Sequence, residues 1–244
     1  LAIVTLAIDS ASGKWKDADT KYTSAETGDY SVRGFASVKT TFGVFIRDRY
    51  NNYSDTLFTT LVPIFEQQLD KSKFTEVFLP GDFVATFFGS RIAYIWDDDH
   101  DSNVYSTTSH STTDQTDLSG PHYFTFDMGV TAKLSRFKLW QVPEIYMYGH
   151  GNVRRMEVWV STNPPPDGSF NGWTKAMEVE VVKPSGLPYG ENSNEDVAAV
   201  TAGHEFSFPR DLPPARYIRL RNLENWSGTY FFQISEVTFW GTLQ

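Results

Sequence analysis

The chain has 244 residues, of which 40% are hydrophobic and 16% aromatic, so it is too apolar to be disordered and long enough for one or two folded domains. Its formal charge is −9, from 21 Lys and Arg against 30 Asp and Glu, which argues against a nucleic-acid partner because phosphate binding needs clustered basic residues. Cysteine is absent, which excludes disulfides, thiolate catalysis and Cys-ligated zinc.

The N-terminal quarter of the chain alternates apolar and polar side chains, a pattern typical of β-strands. The alternation predicts strands over residues 1–8, 15–23, 30–38, 41–49 and 56–62. A run of short strands is the signature of a β-sandwich, so we expect residues 1–65 to form a small sandwich of the immunoglobulin or fibronectin type. This length is short for that type, and we interpret the sandwich as truncated at its first strands.

Strands resume after a short polar segment. Residues 66–73 have a helical composition but no apolar stripe, so we predict a linker turn there. Further strands are predicted over residues 123–128, 133–140, 155–161, 176–182, 216–222 and 231–240. The connections at 97–120 and 184–203 are polar and long, and loops of that length inside a domain are usually functional.

Several motifs then follow one another in a fixed order. They are an apolar strand at 92–96 that enters the acidic run 97–99, the strand end Asp-Met-Gly at 127–129, the strands at 134–140 and 156–161, Ala-Arg-Tyr-Ile-Arg-Leu at 215–220, and the last strand at 234–241. This order resembles the galactose-binding-like jelly roll of the discoidin (coagulation factor type C) family, over residues 74–244. The resemblance implies an all-β chain whose second domain is a jelly-roll β-sandwich. Residues 1–65 resemble the strand-rich module that precedes such domains in secreted proteins of bacterial glycan utilisation.

The resemblance also implies a metal site. In the family, the acidic loop and a Glu of the last strand often hold a structural Ca²⁺, an ion that prefers oxygen ligands. The matching residues here are Asp97, Asp99 and Glu236. Asp98 stands where the family usually has glycine, a residue whose backbone takes positive φ easily. The alternative is a solvated acidic loop beside a Glu that faces water.

Two loops carry aromatic residues that the resemblance places at the ligand-bearing end of the fold. Sugars present C–H faces to aromatic rings and hydroxyls to planar donors and acceptors. The predicted ligand-binding residues are Trp226, Tyr230, Asn225, His150, Tyr148 and Arg154, with Trp226 as the stacking platform. The alternative is that Trp226 and Tyr148 plug the end of the sandwich.

Catalysis has little support in the sequence. Carboxylates adjacent in the chain, as at 97–99, are badly placed for a glycosidase pair, which needs two acids about 5–10 Å apart across a cleft. No nucleophile elbow, zinc-protease motif or phosphate loop occurs, and the five His are scattered. We therefore expect that the chain is not an enzyme.

The function that the resemblance implies is non-catalytic carbohydrate binding in a bacterial glycan-utilisation system. We expect the chain to be secreted, periplasmic or on the cell surface, with a lipid anchor upstream of its first residue. Its expected partners are an oligo- or polysaccharide and neighbouring surface proteins, and no nucleic acid. Discoidin-like domains also bind proteins, so the alternative is a structural or adhesion module with no sugar site.

Overall fold

The computed structural model describes residues 1–8, 12–24, 30–83, 91–100, 120–228, 230–231 and 233–244. These residues divide into two compact units, Leu1–Phe65 (unit 1) and Glu66–Gln244 (unit 2), each built on antiparallel strands. The predicted all-β fold class is confirmed. The predicted loop at 97–120 lies outside the described residues over 101–119. No helix in the described part of the chain has the length and apolar character needed to cross a membrane.

Unit 1 forms a four-stranded sheet in the residues described. Its strands are β1 (Ala2–Ile8), β2 (Trp15–Tyr22), β3 (Thr40–Arg47) and β4 (Leu57–Leu61), in the order β2-β1-β3-β4. The strand predicted over 30–38 is not formed. Instead, the Phe35 ring packs edge-on against Phe42 of β3, with centroids 5.0 Å apart. This segment therefore packs on the sheet through the Phe35 side chain and does not pair with it as a strand.

Unit 2 is built around one long strand. Its strands are β5 (Gln67–Gln68), β6 (Thr75–Val77), β7 (Tyr123–Trp140), β8 (Val153–Ser161), β9 (Thr174–Glu180), β10 (His204–Ser207), β11 (Ala215–Asn225) and β12 (Glu236–Leu243). The sheet order is β5-β12-β7-β11-β8-β9, and β6 and β10 also pair with β7. Fully buried phenylalanines of β7 and β12 fill the core, among them Phe126, Phe137 and Phe239.

Strand β7 replaces the two strands predicted at 123–128 and 133–140. Its first part pairs with β6 and β11, and its last part pairs with β10 and β12. Gly129 lies in the middle with φ +69°, and a Cβ there would lie 2.5 Å from the Lys73 carbonyl oxygen. The glycine therefore lets one continuous strand change partners while a neighbouring turn packs closely on it.

Two predicted assignments are wrong: the loop at 184–203 and the strand at 92–96. Residues 184–203 contain a helix, α1 (Asn194–Ala202), which begins with a capping box between Ser193 and Asp196.

Ile92–Trp96 is a 3-10 helix rather than a strand. In that geometry residues three apart lie on one side, and Ile92 and Ile95 are both buried. The apolar run thus fits the core without pairing its backbone. Lys71–Lys73 is also a short 3-10 turn, within the segment predicted as a linker turn.

Candidate functional site

Two loops of unit 2 lie side by side: residues 141–152 between β7 and β8, and residues 226–235 between β11 and β12. Three backbone hydrogen bonds join them, from Trp226 N to Asn152 O (3.0 Å), from Ser227 N to His150 O (3.0 Å) and from Gln233 N to Gly151 O (2.7 Å). The structure therefore brings together the two loops that carry the predicted ligand residues.

The β7–β8 loop has an unusual backbone that is held by one buried side chain. Tyr148 and His150 have φ of +47° and +51°, which is uncommon outside glycine. The Asn152 amide accepts from Val142 N (2.9 Å) and donates to the carbonyls of Val142 (3.0 Å) and Tyr146 (2.7 Å). These three hydrogen bonds fix the backbone of the bend. As a result Tyr148 is buried and His150 is exposed. Strain of this kind is concentrated at functional sites.

Trp226 is half-buried and packs against the core of unit 2. The Tyr148 ring meets it edge-on at 5.4 Å, and the Arg154 guanidinium lies 5.3 Å from its ring centroid. Its Nε1 is buried without a hydrogen-bond partner among the described residues. Trp226 is therefore largely occupied by intramolecular contacts, which favours the alternative in which it closes the end of the sandwich.

Tyr148 and Asn225, both predicted to bind ligand, are instead buried supports of the loops. Tyr148 is 1% exposed, and burial raises the pKa of its hydroxyl to about 12, with a smaller contribution from Asp196. The Asn225 amide donates to Phe231 O (3.0 Å) and accepts from Ser227 N (3.0 Å). Neither side chain reaches the surface, so both are reassigned from ligand contact to loop support.

His150 is a polar group that the loops present outwards. Its Nδ1 lies 3.0 Å from Gln233 Oε1, and that oxygen also accepts from Gly151 N at 3.0 Å. Because a backbone N–H must donate, the amide orientation is fixed, and His150 must carry its proton on Nδ1 to donate as well. In the neutral imidazole the other ring nitrogen, Nε2, is then an acceptor. The rings of Tyr146 and Phe231 stand edge-on to the imidazole, each at 5.6 Å.

Glycines on either side of His150 make room for two aromatic rings. A Cβ at Gly149 would lie 2.1 Å from Tyr189 Cε2, and a Cβ at Gly151 would lie 2.3 Å from Phe231 Cε2. Tyr189 is 69% exposed. Sequence reasoning missed Tyr189, although it lies in the Gly- and Pro-containing loop at 184–203 that was predicted to be functional.

We call the side chains grouped around His150 the aromatic surface, which consists of Tyr146, His150, Tyr189 and Phe231. The remaining predicted ligand residues are Arg154 and Tyr230. Arg154 is partly exposed and ion-paired with Glu224 at 3.0 Å. Tyr230 is also partly exposed, and its carbonyl accepts from the Asn222 amide at 3.0 Å. The roles of Arg154 and Tyr230 as ligand contacts stay predictions.

The residues predicted to bind calcium are held in a different arrangement. Glu236 is fully buried; its Oε1 lies 2.6 Å from Lys71 Nζ, and its Oε2 accepts from Asp98 N at 3.1 Å. Burial raises the pKa of the Glu236 carboxyl, and the Lys71 ammonium offsets part of that rise. Asp97 and Asp99 are exposed, and Asp97 Oδ1 accepts from Asp99 N.

The arrangement of the described residues does not fit a calcium ion. An ammonium group stands at the buried carboxylate, and among the described residues no three acidic or His side chains are grouped so as to hold a metal. Asp98, at the position of the family's glycine, has φ +69°, the conformation for which glycine is usual.

Comparison with known proteins identifies the family. Residues 96–241 match a domain of unknown function (DUF5000), and residues 1–72 match another (DUF5126). The solved structure of a SusE-like protein has 34% sequence identity and a TM-score of 0.70, over 100% of this chain and 89% of that one. The chain belongs to the SusE-like proteins. No curated protein sequence matches it.

The fold of this SusE-like chain has a further solved relative. The module CBM32-3 of a family 31 glycoside hydrolase from Clostridium perfringens has a TM-score of 0.51 at 14% identity, over 72% of this chain and 95% of that module. At this identity the likeness shows the fold alone. The predicted resemblance to the galactose-binding-like jelly roll is confirmed as a likeness of fold.

Proposed function

We propose that this SusE-like chain is a non-catalytic carbohydrate-binding protein of a bacterial cell-surface glycan-utilisation system, and that the aromatic surface of unit 2 is its sugar site. The observation that carries the proposal is the exposed His150, flanked by two rings that lie against Gly149 and Gly151. The membership among SusE-like proteins and the jelly-roll fold support it.

The chemistry of the aromatic surface suits a sugar. A pyranose ring has an apolar C–H face and a rim of hydroxyls, so it needs an aromatic plane beside a directional polar group. Tyr189 is more exposed than the partly buried Tyr146 and Phe231 rings, and it supplies the plane. The exposed His150 imidazole can hydrogen-bond a sugar hydroxyl, and the Arg154 guanidinium can supply further donors.

The carboxylate nearest to Arg154 is held in ion pairs. Glu224 is engaged by Arg154 at 3.0 Å and by Arg155 at 3.9 Å. A glycosidase needs two carboxyl groups that face each other across the scissile bond. The surface instead offers rings and hydrogen-bonding groups, the composition of a binding site, and this supports a non-catalytic role.

A glycan array probed with the full chain tests the proposal. We expect binding to one class of oligo- or polysaccharide, loss of that binding in His150→Ala, and retention in Tyr22→Ala, which removes an exposed tyrosine of β2. Absence of binding to every glycan, or equal binding by His150→Ala and the wild type, would overturn the proposal.

A second candidate role, docking of a neighbouring surface protein, is favoured by unit 1. Strand β4 is an edge strand with all five residues exposed, including Leu57, Phe58 and Leu61. Exposed apolar edges of this kind pair with other chains. Crosslinking on intact cells would capture a partner with the wild type and lose it with Leu57→Lys; identical crosslinks in both would exclude this role.

A further inference from the structure

Lys71 is a buried cation at the junction of the acidic loop and the last strand. Its Nζ lies 2.6 Å from Glu236 Oε1 and 2.6 Å from Asp98 Oδ1, and its side chain is 8% exposed. The second oxygen of Glu236 accepts from the backbone of Asp98. One ammonium and one carboxylate together bind both the side chain and the backbone of the acidic loop.

The turn that carries Lys71 is fixed from several sides. Asp70 caps it by accepting from Ser72 N at 3.1 Å and Ser72 Oγ at 2.6 Å. Just before it, Leu69 N donates to Phe239 O of β12 at 2.9 Å. Gly129 provides the space that the Lys73 backbone occupies. The packed backbone of this turn therefore holds Lys71 against Glu236, and the Lys71 side chain is not a mobile surface group.

We propose that the Lys71 ammonium is a built-in replacement for the structural divalent cation that the fold family implies at this position. A calcium ion needs about six to eight oxygen ligands. Here the buried carboxylate already has a hydrogen-bonded cation on one oxygen and a backbone donor on the other. Adding a divalent ion beside the ammonium would place like charges together in a buried site. The acidic loop is held by an ion pair, and its stability is independent of calcium.

This ion pair lies close to the strand ends from which the two loops of the candidate site emerge. Glu236 is the first residue of β12, and the preceding residue, Ser235, donates its N–H to Trp140 O at 3.0 Å. Beyond the acidic run, the His100 ring lies 5.0 Å from the Trp140 ring. Lys71 therefore holds residues 97–100 beside the ends of β7 and β12, from which the two loops of the candidate site emerge.

The first part of the test uses the wild-type chain, measured with excess CaCl₂ and with EDTA. We expect the same melting temperature in both, and no saturable sensitised luminescence from Tb³⁺, a luminescent calcium substitute. A calcium-dependent rise in melting temperature, or saturable Tb³⁺ binding, would overturn the proposal without any variant having to fold.

The second part compares two lysines of the same turn. Lys71→Ala leaves Glu236 buried and unpaired, and we expect its melting temperature to fall by about 10 °C. We also expect CaCl₂ to restore part of that loss, because the ammonium no longer occupies the site. Lys73→Ala, which removes an exposed neighbour, is the matched control and should melt like the wild type. Equal melting of the two variants, or a Lys71→Ala variant indifferent to calcium, would contradict the proposal.

Discussion

Tyr148 and His150 are two residues apart in one loop, yet Tyr148 is 1% exposed and His150 lies at the surface. The inner side of the loop, with Tyr148, Trp226 and His204, is packed and determines stability. The outer side, with His150 and Tyr189, is exposed and can meet a ligand. The difference shows that aromatic residues at one end of a sandwich fall into two sets with different roles, separated by burial.

Within these loops, the largest expected effect on stability is at Trp226, on the inner side. Trp226→Ala removes a half-buried ring that packs on the core, on Tyr148 and on Arg154. We expect a loss of about 3 kcal/mol in the free energy of unfolding, the lower end of the range for a core tryptophan. Urea denaturation measures it. A loss below about 1 kcal/mol would place Trp226 among the exposed, ligand-facing residues instead.

A pH effect is expected from His204, also on the inner side. Burial lowers the pKa of His204 from 6.5 to about 4 in the folded chain. Between these values the unfolded chain binds more protons, so stability falls as the pH falls from 6.5 to 4, by about 2 kcal/mol at pH 5. Denaturation of the wild type and of His204→Gln at pH 5 and 7 isolates this contribution. Equal pH dependence in the two proteins would rule it out.

A smaller effect is expected from removing the Tyr148 hydroxyl. That hydroxyl is buried without a partner among the described residues, whereas the ring packs on Trp226. Tyr148→Phe keeps the ring and removes an unsatisfied polar group, so stability should stay the same or rise by up to about 1 kcal/mol. A clear loss in a thermal melt would mean that the hydroxyl has a hydrogen-bond partner after all.

Local sequence patterns predicted much of unit 2. Alternating apolar residues located β8, β9 and β11 to within a few residues, because one face of each strand is buried. The same pattern could not show that residues 123–140 form one strand, since the continuity depends on the positive φ of Gly129 and on its close approach to Lys73. Helix α1 was detectable from its capping residues, and the loop-like composition around it concealed that signal.

For the candidate site, the sequence predicted which loops form it but not which of their side chains face outwards. Which of Tyr148 and His150 faces outwards depends on the backbone that Asn152 fixes, and two aromatic residues in one loop look alike in sequence. Lys71 was not identified at all. It lies 27 residues from Asp98 and 165 from Glu236, so no local spacing relates the three.

The central claim, that the outer side of these loops binds sugar, is tested most directly by calorimetric titration of the glycan selected on the array. Tyr189→Ala is compared with Tyr22→Ala, since these tyrosines are 69% and 75% exposed. Both variants should unfold within about 0.5 kcal/mol of the wild type. Tyr189→Ala should bind about tenfold more weakly, a loss of about 1.4 kcal/mol, while Tyr22→Ala binds normally. Equal affinity in both variants would contradict the account.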